Sequence, residues 1–293
     1  METRMKTILS KTMGWVLAAV LVLPGLRGAD IQVPGDQPTI QAGIDAAAPG
    51  DRVVVADGTY QGTGNTMLDF KGKAIWVEAA DPASGKCIID CASSTAALSL
   101  KNDEVETSVF SGFVVQNQGT ASTLKYSSPT IVGCLFKTSR KNGALRCQYS
   151  SPVIRDCEFS SNANLETYNG SVNSAEGAAI ALYKNASGRP ITIRNCEFRS
   201  NTATKGGGAV AIHSISLPVV IEDCVFLSNK GGAGLGGGAI HFENCSAEVR
   251  RCSFDSNTAT GKWTLTTGTI YPEGGAIGMT RVARLAISEC VFT

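Results

Sequence analysis

An aliphatic residue, two variable positions, Cys, one more variable position and Phe recur six times over the C-terminal two-thirds of the chain. The copies are Ile131/Cys134/Phe136, Ile154/Cys157/Phe159, Ile193/Cys196/Phe198, Ile221/Cys224/Phe226, Val249/Cys252/Phe254 and Ile287/Cys290/Phe292. Four of them run on into Ser-Asn, ending at Asn162, Asn201, Asn229 and Asn257. A second apolar element precedes the last four cysteines: Gly177-Ala178-Ala179-Ile180, Gly207-Gly208-Ala209-Val210, Gly237-Gly238-Ala239-Ile240 and Gly274-Gly275-Ala276-Ile277. Asn142-Gly143-Ala144-Leu145 is a weaker version. Apolar and polar positions alternate with period two in both elements, so each predicts a short half-buried strand, and the glycine clusters exclude helices between them.

Successive cysteines of the pattern lie 23, 39, 28, 28 and 38 residues apart, a period that predicts a solenoid of strand-turn coils. One coil cannot bury its own apolar face, whereas coils stacked about 4.8 Å apart build columns of like residues around a continuous core. Cys and Phe are then interior ladders, with Cys acting as a small buried hydrophobe. Asn is expected at a corner because it tolerates left-handed backbone and bonds to a neighbour's amide. Gly at the next corner lets the chain approach the adjacent coil. Stacked cysteines point the same way, so free thiols are expected, and Cys87 and Cys91 are too far apart on an extended strand to bridge. Upstream, Pro38 is expected to open a helix carrying Ile40, Ile44 and Ala47 on one side, ending at Pro49-Gly50, with Asp51 to Ala56 as the first strand. Such a helix would cap the open end of the solenoid. The expected fold is therefore all-β, a single-stranded right-handed parallel β-helix with a short N-terminal capping helix.

Composition narrows the partners. Lys plus Arg total 26 against 25 for Asp plus Glu, so no net field attracts nucleic acid or an anionic membrane. A charged fraction of 17% with 32 glycines favours a turn-rich β protein. Residues 1–28 read as a signal peptide: Arg4, Lys6 and Lys11 are basic, Met13 to Leu23 is apolar, and cleavage is expected after Gly28. The apolar run is too short for a stop-transfer helix, so the mature chain, 29–293, is expected to have no membrane span and to be secreted or held at the cell surface. The pattern is cut within a repeat at Thr293, and the domain is expected to be incomplete there.

The segments Asp30-Ile31-Gln32-Val33-Pro34, Pro38-Thr39-Ile40-Gln41-Ala42-Gly43-Ile44 and Asp51-Arg52-Val53-Val54-Val55-Ala56-Asp57-Gly58-Thr59-Tyr60 resemble the capped start of bacterial pectin-lyase-like right-handed β-helix proteins. The paired Gly-Gly-Ala-Ile and Phe-x-x-Asn motifs resemble the repeat of polymorphic outer-membrane proteins. Members of that second family end in a membrane β-barrel, which this sequence lacks. Both likenesses speak to fold more than to chemistry, because the shared motifs are corners and core positions.

Aligning the strands after Ala-Ile gives two outward columns: Arg146, Ala181, Ala211, His241 and Gly278, then Gln148, Tyr183, His213, Glu243 and Thr280. Both histidines of the chain fall on one face, one coil apart, with Glu243 level with His213, a pairing that suits general base catalysis. The two long spacings come from insertions at one corner, Ala163 to Glu176 and Thr258 to Glu273. As walls three coils apart, about 14 Å, they would flank a floor of Tyr183, His213, His241 and Glu243 and supply Tyr168, Trp263 and Tyr271. Aromatic and polar groups around a shallow groove suit a sugar chain. The competing reading is that polar residues fill outward positions on any solenoid and that surface insertions are cheap. A second cluster, Asp156, Glu158, Glu197 and Asp223 beside Arg155 and Arg194, is what the likeness to pectate lyases would offer to Ca²⁺ and an arginine base. The same columns hold Asn195, Arg250 and Arg251, so these acids read as ordinary cross-strand pairs. No Asp-Asp pair or Gly-His-Gly of polygalacturonases is present, and no catalytic set, metal site or cofactor is assigned; Ca²⁺ enters only under a lyase reading. The preferred function is a surface or secreted module binding polysaccharide or a cell-surface glycan, or acting in adhesion. A polysaccharide lyase or hydrolase and a structural stalk are the alternatives.

Overall fold

In the computed structural model, which describes residues 28–165, 177–185, 189–232, 236–260, 263–265, 268–270 and 275–293, the chain winds as a parallel β-helix. One face is a ten-stranded sheet that starts with Asp30–Val33 and Arg52–Val55 and ends with Ser246–Arg250 and Arg284–Ser288. A nine-stranded face runs from Gly58–Tyr60 to Val291–Phe292, and a seven-stranded face from Ser99–Leu100 to Ile277–Thr280. Pairing within these faces is parallel, coil upon coil, as in Ile193↔Ile221↔Val249 and Phe198↔Phe226↔Phe254. The signal peptide expected over residues 1–28 lies, but for Gly28, outside the described residues. No helix among the described residues is long and apolar enough to cross a membrane.

The register turns the repeat into ladders. Phe136, Phe159, Phe198, Phe226, Phe254 and Phe292 stack with ring centroids 4.7–5.2 Å apart and planes within 6°. Aromatic overlap of this kind adds to the apolar area each ring buries. The cysteines form a neighbouring column and do more than fill space. The sulfurs of Cys157, Cys196, Cys224 and Cys252 lie 3.1–3.2 Å from the carbonyl oxygens of Arg155, Arg194, Glu222 and Arg250 in their own coil and 3.7–3.8 Å from those of Ile131, Ile154, Ile193 and Ile221 in the preceding one. A weak S–H donor that is also a small hydrophobe fits where Ala would leave the carbonyl bare. All ten cysteines are free thiols and nine are buried.

Asn162, Asn201, Asn229 and Asn257 make the directional ladder. The Asn201 Oδ1 accepts from the backbone N–H and the side-chain Nδ2 of Asn162, at 3.1 and 3.0 Å. Its own Nδ2 donates to the Phe159 carbonyl at 2.9 Å and to Asn229 Oδ1 at 3.0 Å. All four valences of a fully buried amide are thus used. The left-handed residue at this corner is not the Asn, as its tolerance for that conformation suggested, but the Ser before it: Ser161, Ser200, Ser228 and Ser256 have φ of 52–54°. The Asn side chain is needed inside to bridge coils, so the strain of the turn falls one residue earlier. Each of the other two corners also places one residue at positive φ, Asp156, Asn195, Asp223 and Arg251 at one and Tyr126, Tyr149, Lys184, Ser214 and Asn244 at the other. Glycines 208 and 238 serve close approach: a Cβ on them would sit 2.3 Å from Gly238 O and 2.1 Å from Gly275 O.

The N-terminal cap is a single helix, Ile40–Ala46, that buries Ile40, Gly43 and Ile44. Thr39, not Pro38, is its N-cap, and its hydroxyl accepts from the Ala42 N–H at 3.2 Å. The first strand is Asp30–Val33, which pairs with Arg52–Val55 outside the strand expected to lead the sheet; its two inward residues are too few to read as a strand from pattern alone. Gly43 lets the helix settle on both, since a Cβ there would lie 2.7 Å from Val53 Cγ1 and 3.0 Å from Val33 Cγ2. At the other end Lys73 Nζ donates to the carbonyls of Ile44, Asp45 and Ala47 at 2.8–2.9 Å, a cation placed on the negative end of the helix.

Two outcomes follow for stability. Asn229→Ala strips the partners of Asn201 N, Asn201 Nδ2, Phe198 O and Asn257 Oδ1 and is expected to cost about 2–4 kcal/mol in urea unfolding; a loss under about 1 kcal/mol would mean the ladder is dispensable. Burial pushes the Cys147 thiol from 9.0 up to about 12. A folded-state pKa above the unfolded one gives stability that is complete below pH 9 and is lost as pH rises from 9 toward 12. Cys147→Ala is therefore expected to flatten the alkaline limb of a stability-against-pH curve, at about 1.4 kcal/mol per pH unit.

Candidate functional site

The seven-stranded face carries the outward columns in the register expected. Arg146 pairs with Ala181, Ala211, His241 and Gly278, and Gln148 with Tyr183, His213, Glu243 and Thr280. Adjacent coils therefore place each ring over the next. Tyr183 stacks on His213 at 5.2 Å and 13°, and His213 meets His241 at 5.6 Å and 46°. Arg146, whose column neighbour Ala181 is small, lies over the Tyr183 ring at 5.2 Å. His213 Nδ1 is 3.0 Å from Glu243 Oε2.

This stacking changes the character of the floor. Tyr183, His213 and His241 are only 6%, 6% and 5% exposed, where an open, solvent-filled groove was expected. Rings piled at coil spacing cover one another, so outward direction does not bring exposure. Only the Glu243 side chain is substantially open. Of the expected walls, Tyr168 and Tyr271 lie outside the described residues. Trp263 opens a two-stranded antiparallel hairpin, Trp263–Leu265 with Gly268–Ile270, and its side chain is likewise outside the description.

The accessible space lies one step further, at the corner that ends this face. A cleft of about 360 Å³ is lined by Lys125, Tyr126, Gln148, Tyr149, Tyr183, Lys184, His213 and Ser214. Tyr126 and Tyr149 are 51% and 39% exposed and stack at 5.1 Å and 18°. Both hold positive φ, 57° and 52°, which costs a bulky residue on the order of 1 kcal/mol and swings the rings out of the wall. Lys125 Nζ lies 5.2 Å from the Tyr126 ring centre, and Lys184 Nζ 5.2 Å from that of Tyr149 and 3.4 Å from its hydroxyl. The ring faces are thus occupied by each other and by two ammonium groups, leaving edges, hydroxyls and cations to a ligand. No carboxylate is among the described lining residues. These tyrosines were missed in the sequence, although Tyr126-Ser127-Ser128-Pro129 recurs as Tyr149-Ser150-Ser151-Pro152. That spacing matches the 23-residue coil between Cys134 and Cys157.

Three acids of the cluster on the other corner, Asp156, Glu197 and Asp223, are paired internally. Asn195 Nδ2 donates to Asp156 Oδ1 at 2.7 Å, and Arg155 pairs with Asp156 at 2.7 Å. Arg251 binds Asp223 at 2.7 Å and Glu222 at 3.0 Å, and Arg250 bridges Glu222 and Glu248. The Asn195 amide, with Arg155 behind it, holds the Asp156 carboxyl below the usual carboxylate range, and the Arg251 guanidinium does the same for Asp223. Glu197 pairs with Arg199. The Arg250 and Arg251 contacts to Glu222 and Asp223 and the Asn195–Asp156 bond are cross-strand pairs of the kind the column composition implied, whereas Arg155–Asp156, Glu197–Arg199 and Arg250–Glu248 are local to one coil.

Three parallel faces, one buried ladder core and a corner cleft define a parallel β-helix that displays side chains from successive coils on a common surface. The chain belongs to the right-handed β-helix family, whose model matches residues 53–277. No curated protein matches the sequence.

Proposed function

We propose that this is a secreted or cell-surface β-helix protein that binds an acidic polysaccharide or cell-surface glycan in the cleft bounded by Tyr126, Tyr149, Lys125 and Lys184. The carrying observation is a cleft with two lysines, three tyrosines, a glutamine and no carboxylate. Ammonium groups pair with carboxylate or sulfate substituents, while tyrosine hydroxyls and the Gln148 amide suit sugar hydroxyls. A net charge of only +1 makes this cleft a local feature, so attraction is confined to it and screened within a Debye length. Export rests on the basic and apolar leader at residues 1–28, and an adhesive role at an outer membrane rests on the likeness to polymorphic outer-membrane repeats.

The His213–Glu243 pair at the cleft's edge favours a second reading, a lyase or hydrolase in which this pair moves a proton. Titration of polygalacturonate, alginate and neutral glucan onto the protein separates the readings. The binding reading expects acidic polymers to bind, neutral glucan to bind weakly, affinity to fall with added salt, and no unsaturated product to absorb in the ultraviolet. Lys184→Ala and Tyr149→Ala are each expected to weaken binding roughly tenfold, about 1.4 kcal/mol. Equal affinity for neutral glucan, or variants that bind as tightly as the parent, would sink the acidic-ligand reading. Product formation would establish the lyase, and failure of every polymer would leave the stalk. N-terminal sequencing of the exported protein is expected to begin at Ala29.

A further inference from the structure

At the edge of the cleft, the two outward columns bring together three side chains that the glycan reading does not require as a set. His213 and His241 come from adjacent strands, Val210–His213 and Ile240–Glu243, and Glu243 closes the second of these. One ligand atom from each lies within 4.8 Å of those of the other two. Both imidazoles are buried and the carboxylate reaches solvent. We infer that His213, His241 and Glu243 form a binding site for a divalent transition-metal ion, with Zn²⁺ the best fit.

The argument is geometric and chemical. Two ligands held about 2.0–2.1 Å from one tetrahedral ion stand roughly 3.3 Å apart; His213 Nδ1 and Glu243 Oε2 already stand 3.0 Å apart. The three donor atoms lie within 4.8 Å of one another, so an ion would draw His241, whose ring is tilted by 46° from that of His213, toward the other two. The Tyr183–His213 pair within one column, by contrast, stacks nearly flat at 13°. Imidazole nitrogen with one carboxylate suits zinc, copper or nickel, whereas Ca²⁺ and Mg²⁺ demand more oxygen than this set provides. Parallel pairing fixes the three Cα positions through His213↔Glu243 and Ala211↔His241, so little ordering entropy remains to be lost on binding. Three protein ligands leave a fourth position for water, on the side where Glu243 is open.

The test uses the full chain, stripped with chelator and titrated with Zn²⁺ alone by calorimetry, with Co²⁺ as the spectroscopic probe. One ion per chain is expected, with a rise in thermal midpoint. His241→Ala and Glu243→Gln are expected to weaken uptake by at least about a hundredfold, beyond the roughly 10–100-fold typical of an outer-shell partner. Thr123→Ala, on the same face but outside both the triad and the cleft, is expected to leave it unchanged. Bound Co²⁺ is expected to show visible ligand-field bands without the intense near-ultraviolet charge transfer of thiolate ligation. No uptake, uptake unaffected by either triad variant, or a thiolate spectrum pointing to the cysteines would each overturn the site. The Co²⁺ spectrum of the parent decides the matter even if a variant fails to fold. Glycan titrations on the stripped protein report on the cleft separately, so either reading can fail without the other.

Discussion

The amide ladder from Asn162 to Asn257 holds the coils in register, and the rest of the molecule depends on that register. Stacked phenylalanines and aliphatic residues supply the apolar burial, but the hydrophobic effect is non-directional and would tolerate a coil slipping along its neighbour. An Asn whose two donors and two acceptor sites are all matched in a dry interior does not tolerate it. Any offset would leave buried amide and carbonyl groups without partners, each at a cost of about 1–3 kcal/mol. Burial therefore drives the stacking, and the ladder selects which stacking. Serine before each Asn takes the left-handed turn, so that the amide can face inward.

The same register dictates what the surface can do. In a β-helix, an outward residue stands one coil spacing from its equivalent, so surface chemistry is assembled in columns. Rings on the flat face are buried, as Tyr183, His213 and His241 are, whereas a corner at positive φ throws its side chain clear of the sheet, as at Tyr126 and Tyr149. Accessible binding groups thus concentrate at corners, and close-set, water-poor groups on the flat faces. The arginine-rich corner makes the contrast. Arg250 and Arg251 meet Glu222 and Asp223 across coils, and Arg250 also meets Glu248 on its own strand, so its charges are spent on one another, while Lys125 and Lys184 face a cleft with no acid among its described lining.

Much of this architecture was legible before any coordinates. Period-two alternation, the cysteine spacing and the Gly-Gly-Ala-Ile repeats carry the strand register, because register is itself a repeat property, and both outward columns align as the sequence aligns them. Exposure was not legible, since whether a ring is covered depends on what its neighbours in other coils are and how their rings turn. The Ser–Asn corner was half legible. That Asn bonds to the adjoining amide follows from its chemistry, but which of two small polar residues takes positive φ depends on where the side chain must point. The Asp30–Val33 strand has too few inward residues to show a period. The Tyr-Ser-Ser-Pro pair keeps the 23-residue period of Cys134 and Cys157, but its polar composition reads as a turn and does not show that the rings stack.

His213 joins the two sites, lining the cleft and standing in the triad. An ion held by His213, His241 and Glu243 would place positive charge at the end of a cleft that already carries Lys125 and Lys184, and would draw the Glu243 carboxylate away from any ligand there. Both changes favour an anionic chain over a neutral one. Coupling between sites is reciprocal, so a bound acidic polymer would tighten the ion by the same factor by which the ion tightens the polymer. The coupling has a natural limit: the ion and the lysines sit at coil spacing along one axis, so a polymer must lie along the solenoid to feel both. A short acidic fragment confined to the Tyr126 and Tyr149 end would bind without sensing the ion, and only a chain long enough to reach His213 would distinguish the loaded protein from the stripped one.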